Sequence, residues 1–149
     1  DKDYFPFVFF RWGTRPLGFW GQGLAEQLSG LQYEINKIKA AIKETKIRVS
    51  AHPSEYITLT SDDPAAIKNS IRDLESHADL FDRLDISKSY YNPLNIHCRK
   101  DGEPDVISNA FMSNYDKLSD SVKNRLVIEV NDNVKGVWSV KNLVKYFMS

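Results

Sequence analysis

Three short runs of mainly aliphatic and β-branched residues, at 47–52, 94–98 and 125–130, restrict the possible folds more than any other feature of the chain, because a stretch of helical periodicity follows each. Strand and helix in alternation argue for a parallel sheet, since parallel neighbours cannot be joined by a tight turn and need a crossover helix. The first run stops at His52-Pro53. Proline cannot donate to a ladder and forces the residue before it into extended backbone, so His52 is expected to end its strand. The second run closes as Leu94-Asn-Ile-His97-Cys98 and the third as Arg125-Leu-Val-Ile-Glu129-Val130. Each therefore carries a metal-competent side chain at or near its C-terminal end, where sites assemble in parallel α/β folds and above all in (β/α)8 barrels.

The helical stretches have their own start signals. Asp63 is placed to cap and Pro64 to open a helix whose apolar positions are Ile67, Ile71, Leu74, Ala78, Phe81 and Leu84. A second helix is expected over 105–118 and a last one over 139–147. From residue 47 the order reads β-α-β-α-β-α, three units and under half of an eight-unit barrel of ~250 residues. Ahead of it, Leu24, Leu28, Leu31, Ile35, Ile38 and Ile42 alternate spacings of four and three, a helix with one narrow apolar seam. Tyr4 to Trp12 is an aromatic run broken by Pro6, followed by a glycine-punctuated loop, and its apolar surface needs cover from its own fold or a partner. The expected fold is α/β: a partial (β/α)8 barrel of about three βα units over 43–149, preceded by an aromatic segment and amphipathic helix over 1–42.

Composition narrows the function classes. Twenty basic residues balance twenty acidic ones, so no global charge points to nucleic acid or membrane, and any contact with DNA has to come from a local patch. A single cysteine, Cys98, excludes an internal disulfide and suits a reducing compartment. No apolar run approaches the ~20 residues of a membrane span and no signal peptide is visible, which makes the cytoplasm the expected location. A chain that starts at Asp1 and stops within a helical pattern reads as a fragment.

His52, His97 and Glu129 form the candidate site. Two imidazoles and a carboxylate suit Zn²⁺, Mn²⁺ or Fe²⁺, and neighbouring parallel strands can aim all three at one point. The alternative is three isolated polar residues satisfied by backbone groups. His77 falls inside a helix and is given no metal role. Lys88, Arg99 and Lys100 flank the second strand on or near the site face, as phosphate contacts or as solvated loop charges. No glycine-rich phosphate loop, paired-cysteine motif or Ser-His-Asp arrangement stands out.

Arg48-Val-Ser-Ala-His-Pro-Ser-Glu-Tyr56, Ile67-Lys-Asn-Ser-Ile-Arg-Asp-Leu-Glu-Ser-His-Ala78, Asn95-Ile-His97 and Arg125-Leu-Val-Ile-Glu129 together resemble the UV-damage endonucleases over residues 40–149. The resemblance implies a (β/α)8 barrel holding divalent ions, manganese above all, that nicks damaged double-stranded DNA 5′ to UV photoproducts. It implies His52, His97 and Glu129 as metal ligands and catalytic centre, and Glu55 and Tyr56 as the residues probing the gap opposite a flipped-out lesion; beside them, Arg99 and Lys100 are expected to touch DNA phosphates from their place after the second strand. Glu55 stands where that family has a neutral amide, and Val130 separates Glu129 from Asn131-Asp132. Ligands that the family takes from earlier strands and from a later Asp/His-rich segment have no counterpart, so weak or no incision is expected of this chain. Within residues 1–40, Phe9 to Leu28 resembles a segment of tailed-phage portal proteins, which implies self-association through 1–42, a structural role as an alternative, and the host cytoplasm if phage-encoded. Another metal-dependent barrel enzyme, such as a sugar isomerase, is the remaining alternative.

Overall fold

The computed structural model of the chain describes residues 24–98, 100, 102–130 and 138–147. The aromatic segment 1–23, Arg99, and Asn131-Asp132 lie outside the described residues. The chain divides into two units, Asp1–Glu44 and Thr45–Ser149. In the first, α1 (Leu24–Thr45) takes the helical form its spacing predicts. Local pairs one turn apart support it, Gln32 donating to Asn36 at 3.0 Å and Lys37 facing Glu34 at 3.3 Å.

The second unit is built from α2 (Pro64–Arg83), β1 (Leu94–His97), α3 (Pro104–Tyr115), the short α4 (Asp120–Lys123), β2 (Leu126–Glu129) and α5 (Val140–Phe147). The Asp63 carboxylate accepts from the Ala65 N–H at 2.9 Å, the cap the sequence predicts. At its other end α2 closes with paired backbone bonds, Ile86 N–H to the Phe81 carbonyl and Asp85 N–H to that of Asp82, around Asp85 at φ 55. Ile86 and Phe81 are both buried there, so the exit from the helix is held by burial on either side of the turn as well as by hydrogen bonds. Of the apolar positions predicted for α2, Ile67, Leu74, Ala78, Phe81 and Leu84 are buried, and Ile71 is half-buried.

β1 and β2 pair in parallel, with Leu94 opposite Leu126 and His97 opposite Glu129. Leu94 and Ile96 turn one face of β1 into the core, while Asn95 and His97 on the other are half-buried. Complete burial of a leucine such as Leu94 or Leu74 stabilises the fold by roughly 1.5–3 kcal/mol. Phe111 joins the second half of the core edge-on to Trp138, ring centroids 5.9 Å apart.

The first predicted strand is the main correction. Residues 47–52 do not form a strand; a single parallel bridge joins Ala51 to Leu94, through Ala51 N–H to the Pro93 carbonyl at 3.0 Å and Asn95 N–H to the Ala51 carbonyl at 2.9 Å. Two prolines cut the ladder to this length. The rung before it needs an N–H from residue 93 and the rung after it an N–H from residue 53, and neither proline has one. The Val49 N–H goes instead to the Asn92 side chain at 3.4 Å. Ala51 nevertheless lies beside β1, which therefore has a parallel neighbour on each edge. Among the described residues no helix is long and apolar enough to cross a membrane.

Candidate metal centre

The three residues predicted from strand ends come together. His52 follows the Ala51 bridge, His97 ends β1 and Glu129 ends β2 in register with it. His52 Nε2 lies 3.2 Å from His97 Nε2, and Glu129 Oε2 lies 3.4 Å from each imidazole nitrogen. The imidazole rings are 4.8 Å apart and tilted by 52°, so the nitrogens converge without the rings stacking. Of all groups of histidine, cysteine and acidic side chains among the described residues, this one has its donor atoms close enough to share an ion.

The donor set has the chemistry to take a cation. His52 Nδ1 sits 3.0 Å from the Pro53 carbonyl, an acceptor only, which assigns the ring proton to Nδ1 and leaves the Nε2 lone pair facing the other two donors. Lone pairs and a carboxylate this close repel one another unless a cation, or a proton on His97 Nε2, lies among them. Donors about 2.1 Å from a tetrahedrally bound ion stand about 3.4 Å apart, which matches this triangle, and octahedral faces need only slightly less. The side chains of His52, His97 and Glu129 are 45%, 34% and 51% exposed, so an ion held here faces solvent on its open side. Cys98, next to His97, is buried and is not one of the converging donors, and its burial pushes the thiol up to about 12.

The other predicted site residues are placed as follows. Ser54 to Ile57 is a tight turn, with Ile57 N–H on the Ser54 carbonyl at 3.1 Å and Tyr56 N–H on the Ser54 hydroxyl at 3.2 Å. Glu55 and Tyr56 form its tip, Tyr56 84% exposed, while Ile57 is buried and anchors the exit. Lys100 gives its ammonium to Asp62 at 2.6 Å. Lys88 is a correction: it pairs with Asp82 at 3.2 Å, where α2 ends and the strands begin, the opposite end of the parallel sheet from the site. His77 lies against Asp73 of its own helix, its Nδ1 2.9 Å from the Asp73 carbonyl.

Sequence reasoning missed two residues that hold the site's scaffold. Arg125, fully buried, donates to the carbonyls of Ile86, Ser87 and Ser121 and faces Asp82 Oδ1 at 2.9 Å, while its own carbonyl accepts from Leu94. It read as the first residue of a strand, and only its place ahead of an apolar run hinted at burial. Trp138, also fully buried, donates its indole N–H to the Lys100 carbonyl at 3.1 Å. A tryptophan beyond a polar stretch was the available signal.

Fold and site together define an α/β protein with a converging group of two histidines and a glutamate at the exit ends of neighbouring parallel segments. The chain belongs to the UV-endonuclease UvdE family, whose model matches residues 16–146. It is 33% identical over 113 residues to a UV DNA damage endonuclease of Nostoc sp., a match covering 73% of this chain and 32% of that protein. A UV DNA damage endonuclease of Clostridium perfringens is 35% identical over 97 residues, 64% of this chain and 23% of the relative. The crystal structure of SacUVDE superposes with a TM-score of 0.67 at 33% identity, over 78% of this chain and 38% of that one. The chain thus spans about a third or less of the curated relatives' length. The family match takes in residues 16–42, part of the segment that resembles portal proteins.

Proposed function

We propose that this chain is a metal-dependent, UV-damage-endonuclease-like DNA repair protein, with about three βα units of a (β/α)8 barrel in residues 43–149. The observation that carries this reading is the triangle of His52 Nε2, His97 Nε2 and Glu129 Oε2, with sides of 3.2 to 3.4 Å, in a chain of the UvdE family. These side chains hold one divalent ion, Mn²⁺ in the cell. When bound, such an ion supplies an acidified water and positive charge for an attacked phosphodiester, which suits a nick 5′ to a photoproduct. The protein's own part is to fix the three donors and to leave the open side of the ion to the substrate.

Tyr56, projecting from a turn only a few residues after His52, offers an aromatic face to stack where a damaged base has left the helix. Glu55 beside it repels phosphates and cannot donate as an amide does, so lesion probing is weaker than with a neutral residue there. Lys100, beside His97 in sequence, adds a charge already shared with Asp62, and Arg99 before it is a second basic residue for a phosphate.

Loss of the free-ion Mn²⁺ spectrum on titration with protein tests the reading. The expected result is one Mn²⁺ per chain, with affinity falling at least about tenfold in His52→Ala and in Glu129→Gln. Equal binding by the parent and by a variant lacking all three side chains overturns it.

A further inference from the structure

Asn95 stands on the same sheet face as the three donors and neighbours each of them. The bridge pairs Ala51 with Leu94, so one residue further on His52 comes level with Asn95. On the other edge of β1, Asn95 is level with Val127, and the next pair on that face is His97 opposite Glu129. Side chains alternate along a strand, and Leu94 and Ile96 turn into the core, so Asn95 and His97 share the opposite face. His52 turns to that face as well, since its Nε2 lies 3.2 Å from that of His97. Asn95 therefore has one imidazole at its side, the other two residues ahead and the carboxylate diagonally across. Such neighbours stand about 5 Å apart across a sheet and about 7 Å apart along it.

The sheet itself does not call for an asparagine there. The Asn95 backbone N–H serves the pairing through the Ala51 carbonyl at 2.9 Å, but its carboxamide forms no hydrogen bond with a described residue. Asparagine is a poor strand former, and a β-branched residue would suit the same half-buried position better. We propose that Asn95 is a positioning residue of the metal centre, its carboxamide accepting a hydrogen bond from a water on the ion that His52, His97 and Glu129 hold. Side-chain length sets the contact. The amide oxygen stands nearer its backbone than imidazole Nε2 does, so from a place level with His52 it stops short of the ion and reaches it through one water. Three protein donors leave a divalent ion with at least one site for water. A water on a cation turns its lone pair to the ion and its protons outward, and Asn95 Oδ1 is the acceptor that the register places on the sheet side.

The inference rests on the metal-binding reading above, and the experiment separates the two. For the whole chain, the Mn²⁺ Kd and the water-proton relaxation enhancement per bound Mn²⁺ are measured alongside the thermal midpoint without metal. Asn95→Leu keeps the size of the side chain and removes the acceptor. It is expected to raise the Mn²⁺ Kd about three- to tenfold, less than loss of a direct partner of a ligand, and to change the relaxation enhancement because the water is no longer held. Asn95→Asp keeps an acceptor oxygen and adds a charge, and is expected to lower the Kd at least about twofold. Absence of Mn²⁺ binding by the parent overturns the metal reading, and the inference with it. Parent binding with relaxation enhancement unchanged in Asn95→Leu overturns the role of Asn95 alone, whatever the Kd or the thermal midpoint does. A Kd raised alike in Asn95→Leu and Asn95→Asp also overturns it, because it marks a residue that serves only the fold. Should Asn95→Leu fail to fold, Asn95→Asp decides: tighter Mn²⁺ binding than the parent upholds the inference, and equal or weaker binding overturns it.

Discussion

Arg125 and Asp82 do at the N-terminal end of the strands what the histidines and Glu129 do at the other: they bring charges from separate elements to one point. Burial alone raises the Asp82 pKa, but hydrogen bonds from Ser121, Arg125 and Lys88, with the attraction of Arg125, outweigh it and hold the carboxyl below its usual value of 3.8. A depressed carboxyl stabilises the fold fully above that ordinary value, and the contribution drains away as pH falls through the lower folded value. Urea unfolding at pH 7 and pH 3 is therefore expected to show a smaller acid loss in Asp82→Asn than in the parent. Removing the cation is costlier. Arg125→Met strips donors from three carbonyls and leaves Asp82 without its buried partner, an expected loss of about 3–5 kcal/mol at pH 7, read from the urea midpoint. A loss under about 1 kcal/mol contradicts the keystone role of Arg125.

Among the elements, the short ones are informative. A ladder rung requires an N–H on alternate residues, so Pro53 and Pro93 reduce the predicted first strand to the Ala51 bridge, and the direction of the chain, rather than a strand, delivers His52 to the rim. Pro53 could be read locally, but the effect of Pro93 depends on which residue lies opposite it. α2 was easier to read, because its signals are local: the Asp63 cap, the proline after it and the apolar spacing all act within one segment. Asp63→Ala is expected to cost about 1 kcal/mol, measured by thermal or urea unfolding, since it frees the Ala65 N–H. Leu94→Ala, in the middle of the described sheet, is expected to cost about 2–5 kcal/mol through the cavity it leaves.

For the molecule as a whole, the proposed activity leads to a measurement with a low expected value. Among the described residues one group of donors can share an ion, and the chain covers 32% of the Nostoc relative. Incubated with Mn²⁺ and UV-irradiated supercoiled plasmid, it is expected to give little or no nicked product above that of a His52→Ala control; robust, lesion-dependent incision contradicts the expectation. The alternation of helix and strand from residue 64 onward, the cap of α2 and the candidacy of His52, His97 and Glu129 were legible in the sequence, because periodicity, proline stereochemistry and residue type act over a few neighbours. Tertiary structure alone decided that these three donors meet within 3.4 Å, that Arg125 is buried as a charged tie, and that Lys100 pairs with Asp62 while its carbonyl accepts from the Trp138 indole. Those outcomes depend on which residues from distant stretches end up side by side, and register across a sheet is a property of packing that no single stretch contains.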